Sequence, residues 1–270
     1  MRKRASDREH GRDAHATGSM GETPMPHDMP RLRHDGRRAG QLRAVRITPN
    51  FVGTAGGSCL IEMGGTRVIC TASCESNLPP WRRELGVGWV TAEYGMLPAS
   101  TGQRKSRPGA KGDSRATEIQ RLIGRALRNV VCLEKIGPVT LTLDCDVLEA
   151  DGGTRTAAIT GAYVALSLLA ERAVAAGKFQ RGAIHTAVAA VSVGVVNGEA
   201  MLDLDYQEDS RADVDMNVAM VRGGKFVEIQ GSSEKRPFDA GELERLLSLA
   251  RAGIRQLLAA QRRAIDEGLR

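Results

Sequence analysis

The sequence predicts an α+β protein, with helices packed on mixed and antiparallel sheets, and three observations carry that prediction. Residues 138–148 alternate like a strand: Val139, Leu141, Leu143, Cys145 and Val147 fall on one face, Thr140, Thr142, Asp144 and Asp146 on the other. That strand runs into Asp151-Gly152-Gly153-Thr154-Arg155 and then into small and apolar residues, Thr156 to Ala176, that read as a buried helix. Short alternating segments with glycine turns flank this unit on both sides, and an amphipathic helix closes the chain.

In chain order, residues 1–30 show no periodicity and read as a disordered leader or a vector-derived extension; the folded domain is expected over 31–270, starting in a basic arm near Asp35-Gly36-Arg37. Val45 to Ile47 opens the first strand, and Ser58–Met63 and Thr66–Ala72 flank Gly64-Gly65 as a hairpin. Gly86–Tyr94 gives another strand, followed by a polar loop from Pro98 to Gly112. A helix starts near Asp113 or Ser114, where Ile119, Leu122, Ile123, Ala126, Leu127 and Val130 recur at spacings of three and four. After the strand 138–148 comes the helix 155–176, stopped by Gly177. Ala183–Val196 is nearly continuously apolar, and Asn197-Gly198 turns it into Ala200–Asp205. Val214–Val221 and Lys225–Gln230 flank Gly223-Gly224 as a further hairpin. Asp239 is the N-cap of the last helix, with Glu242 completing a capping box, and Leu243, Leu246, Leu247, Ala250, Ile254, Leu257 and Leu258 form its buried stripe. Two halves emerge, roughly 35–150 and 151–270, each a sheet with helical cover.

A chain of 270 residues suffices for one large domain or two small ones and for a substantial core. No continuous apolar run reaches the roughly 18–20 residues that cross a bilayer, and no apolar segment near the N-terminus reads as a secretory signal. The expectation is a cytoplasmic protein without a membrane partner. Cys59, Cys70, Cys74, Cys132 and Cys145 are odd in number and lack metal-finger spacing, which fits reduced, mostly buried thiols.

Charge is unevenly distributed. Residues 1–46 hold eleven Lys/Arg against six Asp/Glu, which accounts for five of the six net positive charges. Within the nearly neutral remainder, Arg104, Lys105, Arg107, Lys111, Arg115, Arg121, Arg125 and Arg128 face only Asp113 and Glu118, which marks a local polyanion site. A solvated basic helix face accounts better for Arg121, Arg125 and Arg128 than for the glycine-containing stretch 104–111.

Strand, Gly-Gly turn, arginine and helix start together build an oxyanion pocket. Glycines let backbone amides approach an anion, the helix N-terminus adds partial positive charge, and arginine adds a forked cation. Inorganic phosphate or a nucleic-acid phosphate is the natural guest, although a Gly-Gly before a helix is more often only a tight turn. Glu208, Asp209, Asp213 and Asp215 form an acidic cluster just beyond the strand ending at Asp205, suited to a hard divalent cation or to proton transfer; a charged loop rim is the plainer reading. Arg115 opposes the dipole at a helix start, a mild hint of a ligand role. Four of the five histidines lie within the first 34 residues and His185 opens an apolar strand, so none is a good catalytic candidate. There is no Walker A sequence. Aromatic residues make up 3% of the chain, which favours contact with RNA through phosphates and sugars over base stacking.

Residues 86–98 (GVGWVTAEYGMLP), 118–128 (EIQRLIGRALR), 143–161 (LDCDVLEADGGTRTAAITG) and 208–217 (EDSRADVDMN) resemble the bacterial ribonuclease PH family, with the motifs in the same order over about residues 35–265. The resemblance implies a ribonuclease PH-like (ribosomal protein S5 domain 2-like) fold. It implies a phosphorolytic 3′→5′ exoribonuclease, or tRNA nucleotidyltransferase, in which phosphate attacks the terminal linkage of RNA and a nucleoside diphosphate leaves; the reverse reaction adds nucleotides. The implied substrates are tRNA precursors, with ribosomal RNA beside them. The implied cofactor is Mg²⁺, the implied co-substrate inorganic phosphate, and the implied assembly a homohexamer, a trimer of dimers. By resemblance, Arg115, Gly153, Thr154 and Arg155 bind phosphate, Asp209 and Asp215 serve catalysis and metal binding, and Arg104 and Arg107 grip tRNA. Ala99 stands where the family usually has arginine, and residues 234–236 (Glu-Lys-Arg) replace a more usual Glu-Gly pattern.

Two other classes compete. A non-catalytic RNA-binding ring subunit would be expected to lack several of Arg115, Arg155, Asp209 and Asp215, and all four are present. A small-molecule phosphotransferase would call for an ATP loop in place of the basic segment 104–111.

Overall fold

A computed structural model describes residues 32–107 and 113–270; the leader expected over 1–30, and Lys111 in the basic loop, lie outside the described residues. Its α+β architecture has one mixed and one antiparallel sheet, as the sequence predicts.

The first sheet has the strand order β1-β2-β3-β5-β4. Strands β1 (Val45–Pro49), β2 (Gly57–Met63) and β3 (Thr66–Glu75) form an antiparallel meander, and β5 (Thr140–Glu149) adds to β3 antiparallel. Strand β4 (Trp89–Met96) is parallel to β5, so both point their C-terminal ends to the same edge of the sheet. The short helix α1 (Pro80–Arg83) precedes β4. Helix α2 (Ser114–Arg128) and the short α3 (Leu133–Ile136) make the crossover from β4 to β5. Asp113 caps α2 by accepting from the Arg115 amide, and the expected apolar face is buried.

Helix α4 (Thr154–Ala175) leaves the turn after β5 and is buried along most of its length. It packs on β2 and β3 with one side and on β6 with another. With 22 residues it is long and apolar enough to cross a bilayer, contrary to the sequence expectation; Thr and Ser within it interrupt the apolar run without lowering its overall hydropathy below that of a span, and here its apolar surface is buried inside the protein.

The second sheet runs β7-β6-β8-β9 and is antiparallel throughout. It comprises β6 (Val188–Val196), β7 (Glu199–Leu202), β8 (Val214–Val221) and β9 (Phe226–Ser233), with the short helix α5 (Tyr206–Asp209) between β7 and β8. Helix α6 (Ala240–Gly268) starts at the predicted Asp239–Glu242 capping box and packs on β6, β7 and β1. The two predicted halves therefore share helices, and one apolar core runs through both sheets.

Two predictions are corrected in this half. The strand expected from Ala183 begins only at Val188, because Ile184 instead bridges to Val131 and His185 donates its amide to Val130. The strand expected to end at Asp205 ends at Leu202, because Asp203 adopts a left-handed backbone (φ 56°) and Asp205 turns back to cap α5. The basic arm near Asp35-Gly36-Arg37 is folded into the protein. Arg33, Arg37 and Arg43 are buried, and their guanidinium groups meet Glu208, Asp35 and Asp203.

Cys59, Cys70 and Cys145 lie side by side on β2, β3 and β5, buried and unpaired, as expected of reduced thiols. Cys145 and Cys59 as hydrogen-bonding neighbours, together with burial, push the Cys70 thiol well above its ordinary range.

Candidate active site

The site forms where β5 hands the chain to α4. The turn needs glycine twice: Gly152 has φ 74° and Gly153, the N-cap of α4, has φ 65°. Space demands it too, since a Cβ on Gly152 would lie 2.7 Å from the Leu204 carbonyl oxygen. Thr154 and Arg155 then open the helix, whose first amides carry the partial positive charge of the helix dipole.

Each flanking group comes from a different element. The Tyr94 hydroxyl, on β4, donates to Thr154 Oγ1 at 2.9 Å and is buried. Burial raises the Tyr94 hydroxyl above its usual range, while the bond to Thr154 and the charges of Arg115 and Arg155 pull the other way. Arg155 donates from Nη1 to Gln230 Oε1 on β9 at 2.8 Å and lies 3.5 Å from Glu118 Oε1 on α2. Gln230 Nε2 donates in turn to Glu118 at 2.7 Å. Arg115 projects from the first turn of α2 and is exposed.

Opposite these cations stand two carboxylates. Asp209 ends α5, and Asp215 is the second residue of β8, paired with Ser232 and Gly194. Burial raises the Asp209 carboxyl above its usual range, against the opposing charges of Arg115 and Arg155. Burial, then the charge of Asp209, push Asp215 up to about 6. Asp215 Oδ1 is buried and has no hydrogen-bond partner. An ionisable oxygen left without a donor beside a second carboxylate suits a cation, and an all-oxygen pair suits a hard one such as Mg²⁺.

The structure thus brings together Arg115, Gly153, Thr154, Arg155, Asp209 and Asp215. It splits the acidic cluster. Glu208 turns inward to Arg33 and completes the capping box of α5 with Asp205, while Asp213 lies 3.9 Å from Arg236 and 4.0 Å from Lys235. Arg104 and Arg107 are exposed in the loop between β4 and α2. Nor is the basic face of α2 simply solvated: Arg125 pairs with Glu228, and Arg128 stacks on Trp89 and donates to the Val90 carbonyl. His34, Asp205 and Glu208 also lie close enough to share a metal, but Arg33 and Arg37 already balance their charge. The sequence reading does not single out Tyr94 or Gln230, and it names Glu118 only as a counter-charge of the basic segment and the first residue of a motif. Only Tyr94 carried a signal, as the buried-face residue at the predicted end of its strand.

Comparisons with known proteins identify the family of the chain. Residues 41–170 match the model of the 3′ exoribonuclease family, domain 1, and residues 186–253 match that of domain 2. The ribonuclease PH of Neisseria meningitidis serogroup C is 53% identical over 240 residues, 88% of this chain and 99% of that protein; the serogroup B protein is equally similar. In fold, the chain is similar to the rice (Oryza sativa) Rrp46 crystal structure, with TM-score 0.71 and 16% identity, covering 86% of this chain and 100% of that one. It is also similar to the Archaeoglobus fulgidus exosome with RNA bound to the active site, with TM-score 0.70 and 22% identity, covering 84% and 92%. Both domains of one family in order, and relatives of that identity over nearly the whole folded part, leave one assignment: the chain belongs to the 3′ exoribonuclease family, alongside the ribonuclease PH proteins.

Proposed function

We propose that the protein is a phosphate-dependent 3′→5′ exoribonuclease that trims the 3′ ends of tRNA precursors, and of ribosomal RNA. An oxygen of inorganic phosphate attacks the phosphorus of the last linkage, and the bond from that phosphorus to the 3′ oxygen of the shortened chain breaks. A nucleoside diphosphate leaves, and the new 3′ hydroxyl gains a proton. Run backwards, the same steps extend an RNA end.

One observation carries this reading: two arginines and the N-terminus of α4 converge on the side of the site facing two half-buried carboxylates, one with a buried, orphaned oxygen. Arg115, Arg155, Thr154 and the amide of Gly153 hold the attacking phosphate. Their charge offsets the repulsion between two phosphates and fixes the attack in line. Asp209 and Asp215 would hold Mg²⁺, which supplies charge stabilisation for the leaving 3′ oxygen. Arg104 and Arg107, exposed ahead of α2, grip the tRNA body through its phosphates. The assembly is a homohexamer, a trimer of dimers, and the protein works in the cytoplasm.

Incubating a 3′-extended tRNA with and without inorganic phosphate tests the reaction. Release of nucleoside diphosphates only when phosphate is present supports it; nucleoside monophosphates would mean hydrolysis and refute it.

A further inference from the structure

The turn Asp151–Gly153 is held from behind by two buried residues at the β1–β3 side of the first sheet. Thr66, fully buried at the start of β3, spends its hydroxyl on this turn: Oγ1 accepts from the Asp151 amide at 2.9 Å and donates to the Gly152 carbonyl at 2.6 Å. Arg43 grips the same side. Its Nη1 donates to the Asp151 carbonyl, and its Nη2 lies 3.4 Å from the Gly152 carbonyl. Asp203 immobilises the guanidinium by accepting from Nε at 3.1 Å and Nη2 at 2.7 Å, and it also accepts from the Arg43 amide at 2.8 Å.

A trans peptide is planar, and its carbonyl oxygen and amide hydrogen point in opposite directions. Pulling the Asp151 and Gly152 carbonyls towards Thr66 and Arg43 therefore aims the Gly152 and Gly153 amides the other way. The same turn reaches the second half of the site, because Asp151 Oδ1 accepts from the amide of Tyr206, the first residue of α5, at 3.3 Å. Helix α5 ends in Asp209.

We propose that Thr66 and Arg43 are positioning residues for phosphate, which fix the backbone at Asp151–Gly153 so that its amides meet the attacking anion. This rests on the reading of Gly153, Thr154 and Arg155 as the phosphate cradle. Neither residue touches the anion; both act through the turn.

Steady-state phosphorolysis of a short oligonucleotide, with phosphate and RNA varied in turn, tests the assignment. Thr66→Val keeps the shape and removes the hydroxyl, and is expected to raise KM for phosphate about tenfold or more while leaving KM for RNA unchanged. Thr66→Ser restores the hydroxyl and is expected to return KM for phosphate close to that of the parent. Arg43→Lys keeps a charge for Asp203 but loses the fork, and is expected to shift KM for phosphate in the same direction; it carries the test alone if Thr66→Val does not fold. A merely structural role would lower Tm and the active fraction with both KM values unchanged, and that pattern overturns the proposal, as does a parallel rise in both. Arg155→Ala is measured alongside: if it is inactive while the other variants keep the parent KM for phosphate, the positioning role fails and the cradle stands. If Arg155→Ala keeps full activity, the cradle reading itself falls and the positioning role with it.

Discussion

At the scale of single residues, the site sets half-buried carboxylates against an exposed and a half-buried arginine. Asp215 keeps its proton to about pH 6 in the fold, whereas an unfolded chain loses it near pH 4. Between those values the native state binds more protons than the unfolded one, so this carboxyl makes stability fall as pH rises through that window. Asp215→Asn is expected to abolish phosphorolysis and to stabilise the metal-free protein at pH 7.5 by about 1–3 kcal/mol. Thermal melts of parent and variant check this, with the gap closing at pH 4. Arg155→Ala is expected to eliminate phosphate-dependent shortening while far-UV circular dichroism stays that of the parent; Gln230 and Glu118 keep each other as partners when the arginine is gone. Sequence gave the four chemical groups through their motif context, but it could not show what Arg33, Arg37 and Arg43 do. Their partners Asp203 and Glu208 lie at least 160 positions along the chain, so a running charge count reads them as a basic arm.

At the scale of elements, what the sequence revealed was what local chemistry encodes. The β2–β3 and β8–β9 hairpins, the start of α2 at Ser114 and the Asp239–Glu242 box all fall where short-range signals put them. The break after β7 was not legible, because Asp203 holds a left-handed backbone through its bonds to Arg43, a tertiary contact with no local signature. The turn between β5 and α4 is the element most exposed to substitution. Gly152→Ala combines a positive φ with a backbone collision and is expected to destabilise by about 3 kcal/mol or more, read by urea denaturation. The loop ahead of α2 belongs to substrate docking. Arg104→Ala with Arg107→Ala is expected to weaken tRNA binding several-fold and to reduce its salt dependence, while turnover of short oligonucleotides persists. Equal loss on both substrates would contradict a docking role.

At the scale of the whole molecule, a homohexamer is expected from mass measurement by light scattering, at six times the monomer mass and with no dependence on RNA. The two family domains meet between α4 and β6, yet α4 packs against the sheets of both. This has a consequence for synthesis on the ribosome. The strands that cover the far side of α4 come later in the chain, so the emerging polypeptide carries an oily rod with one flank bare until its last third is made. Protease pulses on stalled nascent chains of graded length are expected to spare α4 only once α6 has cleared the exit tunnel.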